Sequence, residues 1–166
     1  MLKSHELIGF MSPVLATDIL TFTLETDKPM YRTVLSGVAE ARRVRPIFLE
    51  RKSKTERHSL MLATLSKPSM DAVSANLLRT WLLKKYKDML VDFLDALGIT
   101  HKDGVVEELP GEMADDKLRS AVDVLLGKYP QEVVAVYLNA FNDMNEVEWP
   151  NLKAMLTTDS RLQLGG

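Results

Sequence analysis

Histidine is the most sensitive sign of site chemistry in a chain without cysteine, and this one of 166 residues has three: His5, His58 and His101. None belongs to an H-E-x-x-H pair or to a His, His, carboxylate set at helical spacing, the pattern that would bring several ligands to one ion. His101 and Asp103 fall in a loop and together offer two ligands, too few for a tight transition-metal site. His58 follows Arg57 and is expected on a charged surface. Glu107, Glu108, Glu112, Asp115 and Asp116 gather around a loop-to-helix junction. Paired carboxylates there, with His101 nearby, would suit metal-assisted hydrolysis. The spacing of a calcium loop is absent, however, and acidic residues in a first helical turn suit the positive end of the dipole. No phosphate loop, dinucleotide fingerprint or nucleophile elbow occurs. No catalytic residue, cofactor or metal ligand is therefore assigned, and a carboxylate/His hydrolase ranks third among the readings.

The densest cluster is basic. Arg42, Arg43, Arg45, Arg51, Lys52, Lys54 and Arg57 lie in a short span, and with His58 they form the candidate interaction surface; Lys84, Lys85 and Lys87 make a second cluster. Such a segment can hold a polyanion through phosphate contacts. Against that, the pI is about 5.9, no nucleic-acid reading motif appears, and the basic residues are read as having no interleaved aromatic. Nucleic-acid binding is accordingly the second reading, behind self-association or binding of another protein.

Charge is unevenly spread. Residues 1–100 carry 15 Lys/Arg against 11 Asp/Glu, and residues 101–166 carry 6 against 12. Basic-leaning and acidic parts that attract one another, within one molecule or between copies, account for this most simply. The composition, 46% hydrophobic and 27% charged, is that of a globular domain. Leu7 to Ala16 is the nearest approach to an export or membrane segment, but the run is short, contains Pro13 and follows His5 and Glu6, so no membrane partner is expected. Absence of cysteine fits a cytoplasmic protein.

The elements that would position these residues are helical. From Lys67 to Gly98 apolar residues recur at Val73, Leu77, Leu78, Trp81, Leu82, Met89, Leu90, Phe93, Leu94 and Leu97, the spacing of one helix face. The pattern predicts one long helix over about 68–98, started near Pro68 and stopped at Gly98. Ser12-Pro13 opens a helix to about Glu25, although Leu20, Phe22 and Leu24 alternate in a strand-like way. Asp27 caps another to about Arg43, and Arg45-Pro46 breaks it. The decade Glu50 to Ser59 contains no apolar residue and is read as the projecting stretch of a helix, with Glu50 and Lys54 as an i, i+4 pair. Ile99 to Gly111 is a connection. Helices then follow from Asp115 to about Gly127, from Tyr129-Pro130 through Phe141, and from Trp149-Pro150; Thr157 to Gly166 is an irregular tail.

The expected fold is an all-α bundle of about seven helices organised around the 68–98 helix, with no significant β-sheet. Residues 1–166 form one domain, with sub-lobes at 1–98 and 105–166. The expected function is that of a non-enzymatic interaction or scaffold protein, a homo-oligomer or a binder of another protein.

Overall fold

The computed structural model describes residues 1–165. Among them are ten α-helices: α1 Ser4–Phe10, α2 Pro13–Thr26, α3 Lys28–Ala41, α4 Pro46–Glu50, α5 Lys54–Leu65, α6 Asp71–Lys85, α7 Lys87–Leu97, α8 Asp115–Lys128, α9 Gln131–Met144 and α10 Pro150–Thr158. No sheet forms among the described residues; one isolated bridge joins Lys102 and Val105. The all-α class holds, with ten helices in place of about seven.

The helix starts follow local chemistry. Ser12 accepts from the Leu15 N–H at 3.2 Å, and Pro13 takes the first position of α2. That settles the strand-like alternation at Leu20, Phe22 and Leu24 in favour of helix. Asp27 accepts from Met30 N–H at 3.2 Å to open α3, and Ser53 accepts from Glu56 N–H at 3.2 Å to open α5. Gly98 terminates α7 at φ 71°, a left-handed conformation that glycine adopts without a Cβ clash.

The single long helix is corrected. The 68–98 stretch is a 3₁₀ turn at Pro68–Met70 followed by α6 and α7, which part at Tyr86, where φ is −121° and ψ 31°. Apolar spacing on its own does not detect such a step, because the stripe resumes in phase beyond it: Trp81, Met89 and Phe93 are all buried. The expected Glu50–Lys54 pair is absent for a related reason. Glu50 ends α4 and Lys54 begins α5, so no common helix face joins them. The tail is more regular than expected, with α10 reaching Thr158 and a 3₁₀ turn at Ser160–Leu162 capped by Asp159; Gly166 lies outside the described residues.

The chain divides into two compact units, residues 3–81 and residues 82–164 with 1–2, and the division falls within α6. In the first, the core is built from Leu7 and Ile8 of α1, Ile19 and Leu20 of α2, Val34, Leu35 and Val38 of α3, Leu49 of α4, and Met61 and Leu65 of α5. In the second, α9 is the central element, every residue from Val133 to Asn142 being buried. A helix apolar around most of its circumference is stable only inside its own domain. Phe93, Tyr137, Phe141 and Trp149 interlock there, with ring centroids 5.3 to 5.8 Å apart along the chain of contacts. The connection Ile99 to Gly111 belongs to this unit. Trp149 Nε1 donates to the Pro110 carbonyl at 2.8 Å, and Asn151 Nδ2 donates to the Met113 carbonyl at 2.6 Å.

Candidate functional site

The basic segment runs over the end of α3, the whole of α4 and the start of α5. α3 ends with Arg43 in the left-handed region at φ 57°, and the Val44 N–H donates to the Ala39 carbonyl. That turn frees Arg45 and Pro46 to begin α4, a helix of five residues. A helix this short buries only one side chain, Leu49, and leaves its two apolar neighbours in water: Ile47 is 49% and Phe48 57% exposed. Lys52 Nζ lies 5.2 Å from the Phe48 ring centroid.

On either side of this pair in the chain, Arg42, Arg43, Arg45, Arg51 and Lys54 are exposed and Lys52 half-buried. None of the six has a carboxylate within ion-pair distance among the described residues; Arg42 only donates to Thr64 Oγ1, at 3.3 Å. The sequence reading left out Ile47 and Phe48. The signal was present, since Pro46 and the charged decade bound a helix too short to hide three successive apolar residues. Phe48, between Arg45 and Arg51, also supplies the aromatic that the reading of this segment did not count.

Two of the eight predicted surface residues lie elsewhere. His58 is 2% exposed, so its expected place on a charged surface is corrected. It falls on the inner face of α5 with Met61 and Leu65, one and two helical turns further on, which the surrounding charges in the sequence conceal. Its Nε2 is 2.8 Å from Tyr31 Oη, and its Nδ1 has no partner. Burial, reinforced by the charges of Arg57 and Lys54, pulls the imidazole down to about 4. The neutral ring then accepts from the Tyr31 hydroxyl. Arg57 is half-buried, donating from Nε to Tyr31 Oη at 2.8 Å and from Nη1 to the Lys52 carbonyl at 3.3 Å. Burial raises the Tyr31 phenol above its ordinary value, and the Arg57 hydrogen bond and charge oppose this only in part.

The remaining candidates lie in the second unit. His101, Glu107, Glu108 and Glu112 border one open hollow of about 800 Å³, with Lys102 and Lys117. His101 is committed to structure: Nδ1 accepts from the Gly104 N–H at 3.1 Å, and Nε2 is 2.7 Å from Asp95 Oδ1. Asp103 turns instead toward Lys87, 3.5 Å away, so His101 and Asp103 do not form the pair of ligands their spacing suggested. Asp115 accepts from Asn151 and Asp116 faces Arg119 on its own helix. Among the described residues no group of three or more His, Cys, Asp or Glu side chains is placed to hold a metal ion.

Sequence reasoning also missed two polar contacts. Asp71, first in α6, accepts from the His5 backbone N–H at 3.0 Å and lies 2.7 Å from its ring Nδ1. Burial raises this carboxyl, but the His5 contacts and the Lys3 charge together outweigh it and hold the carboxyl below its ordinary value. Asp92 on α7 accepts from Lys128 Nζ at 2.7 Å and from Tyr129 Oη at 2.6 Å, joining α7 to the end of α8. No single helix is long and apolar enough to cross a membrane. Comparison with family models, with curated proteins and with solved structures gives no match.

Proposed function

We propose that the chain is a non-enzymatic interaction module, and that its Arg42–Lys54 face docks the acidic surface of a second copy. The observation that carries this is the exposed Ile47–Phe48 pair, flanked along the chain by cations that have no carboxylate of their own. An aromatic and an aliphatic side chain set among arginines have the composition of an interface centre. Each is already about half covered, so covering the rest removes apolar surface worth about half of the roughly 1.5–3 kcal/mol of a full burial. Residues 101–166, with 12 acidic against 6 basic groups, supply the complementary charge. A reducing compartment such as the cytoplasm belongs to this reading, since the chain has no thiol to place in a disulfide.

Light scattering after gel filtration, run across protein concentration, tests it. The expected result is a mass above that of the monomer that falls with dilution and with added salt, and that returns to monomer in Phe48→Asp. A monomer at every concentration overturns it.

The exposed Phe48 among cations favours a second reading, single-stranded nucleic-acid binding, because an aromatic in a basic groove is a stacking platform. Filter binding at low salt separates the two readings. Retention that falls steeply with salt and is lost in Phe48→Ala supports nucleic acid, and no retention removes it.

A further inference from the structure

A half-open hollow of about 230 Å³ lies within the first unit, and its lining includes Lys28, Arg32, Arg57, Glu50, Leu24 and Leu35. Lys28 and Arg32 are one turn apart on α3, an i, i+4 pair of like charge that weakens its own helix. Neither has a hydrogen-bond or ion-pair partner among the described residues. Arg57 reaches the same space from α5 and is already held in place. Its Nε donates to Tyr31 Oη, its Nη1 donates to the Lys52 carbonyl, and its guanidinium carbon lies 5.9 Å from the Tyr31 ring centroid. That leaves its Nη2 unengaged. Three cations against the single carboxylate of Glu50 give the lining a surplus of two positive charges.

A local arrangement that costs stability and gathers unpartnered donors around a hole marks a binding site more readily than a structural joint. We propose that this cavity binds a small dianion of the phosphate class, either inorganic phosphate or the phosphate end of a small phosphomonoester. The surplus charge matches a phosphate group, which carries about −1.5 to −2 near neutral pH. Arg32 offers a planar fork to its oxygens, Arg57 its unengaged Nη2, and Lys28 a point charge. The volume is below the roughly 300–1,000 Å³ of sites for drug-sized ligands, which suits a group of phosphate size. Leu24 and Leu35 leave room for a short apolar substituent on a phosphomonoester.

Isothermal titration calorimetry of the full chain at fixed ionic strength, with inorganic phosphate and with methyl phosphate as probes, tests the proposal. Saturable binding of either probe is expected, and the tighter of the two identifies the source of the phosphate group. Arg32→Ala and Lys28→Ala should each weaken it by about tenfold or more, and Arg79→Ala, at an exposed cation outside both proposed surfaces, should leave it unchanged. Lys28 and Arg32 are exposed, so both variants should melt at or slightly above the wild-type temperature. The proposal is overturned by absence of saturable heat up to about 10 mM probe. It is equally overturned if Arg79→Ala weakens binding as much as Arg32→Ala, which would show diffuse surface charge, or if succinate binds as tightly as phosphate. None of these outcomes depends on whether the chain self-associates.

Discussion

Tyr31 Oη stands 2.8 Å from Nε2 of the buried His58, and nothing else in the described chain meets the ring's other nitrogen. The folded protein therefore holds an imidazole that resists protonation. The unfolded ring titrates near 6.5 and the folded ring near 4, so between those values the unfolded chain binds the extra proton. Stability should rise with pH across that window, by up to about 1.4 kcal/mol per pH unit, and level off above it. Urea denaturation at a series of pH values measures this. In His58→Phe the rise between pH 4 and 6.5 should vanish, whatever that variant's stability at neutral pH. The lowered Asp71 carboxyl adds a slope of the same sign, confined to more acid solution, because its stabilisation is lost as pH falls through a folded value below the usual carboxylate range.

Neighbouring residues of α4 should respond in opposite ways. Phe48→Asp changes a side chain that is mostly in water, so stability should move by no more than about 0.5 kcal/mol while association is lost. Leu49→Ala removes a side chain that is 1% exposed and should cost about 2–5 kcal/mol. Chemical denaturation of the two variants side by side checks the contrast. A large loss in Phe48→Asp would mean that the ring supports the fold.

Gly98→Ala should destabilise the second unit by about 1–2 kcal/mol, because alanine at φ 71° meets its own carbonyl environment badly. The nearest outside atom to an added Cβ is Lys117 Nζ at 3.3 Å, the mobile end of a long side chain that can give way. The cost is thus one of backbone conformation, and Gly98→Asn should recover part of it. Thermal melts of the two variants decide the point.

Tyr129 should titrate at about 12, raised first by burial and then by its hydrogen bond and proximity to Asp92. Ultraviolet titration of Asp92→Asn should show this phenol moving down toward 10 without reaching it, since burial, the larger cause, survives the substitution. The same change removes the partner of Lys128, whose hydrogen bond is the main reason the Asp92 carboxyl lies low.

What was legible in the chain was local. The Ser12 and Asp27 caps, the break at Arg45-Pro46, the stop at Gly98 and the all-round apolar character of Val133 to Phe141 each depend on residues within a turn or two of one another. The step at Tyr86 was hidden because no proline or glycine marks it and the apolar stripe continues on both sides. His58 was hidden because its partner Tyr31 is 27 residues away, on another helix, while its sequence neighbours are all polar. For the site, six of the eight predicted residues are exposed or half-buried and lie within six positions of an exposed apolar pair in the chain. The pair itself was overlooked because Ile47 and Phe48 read as interior residues until the length of α4 is known.

Prolines stand at the first or second position of α2, α3, α4 and α10. Each start thereby sets the rotational phase of everything downstream in its rod, before any packing partner arrives. Inserting one residue between Pro29 and Tyr31 would swing the rest of α3 by about 100° and carry Tyr31, Val34 and Val38 out of the interior together. These joints should accept many exchanges of side chain and almost no change in length.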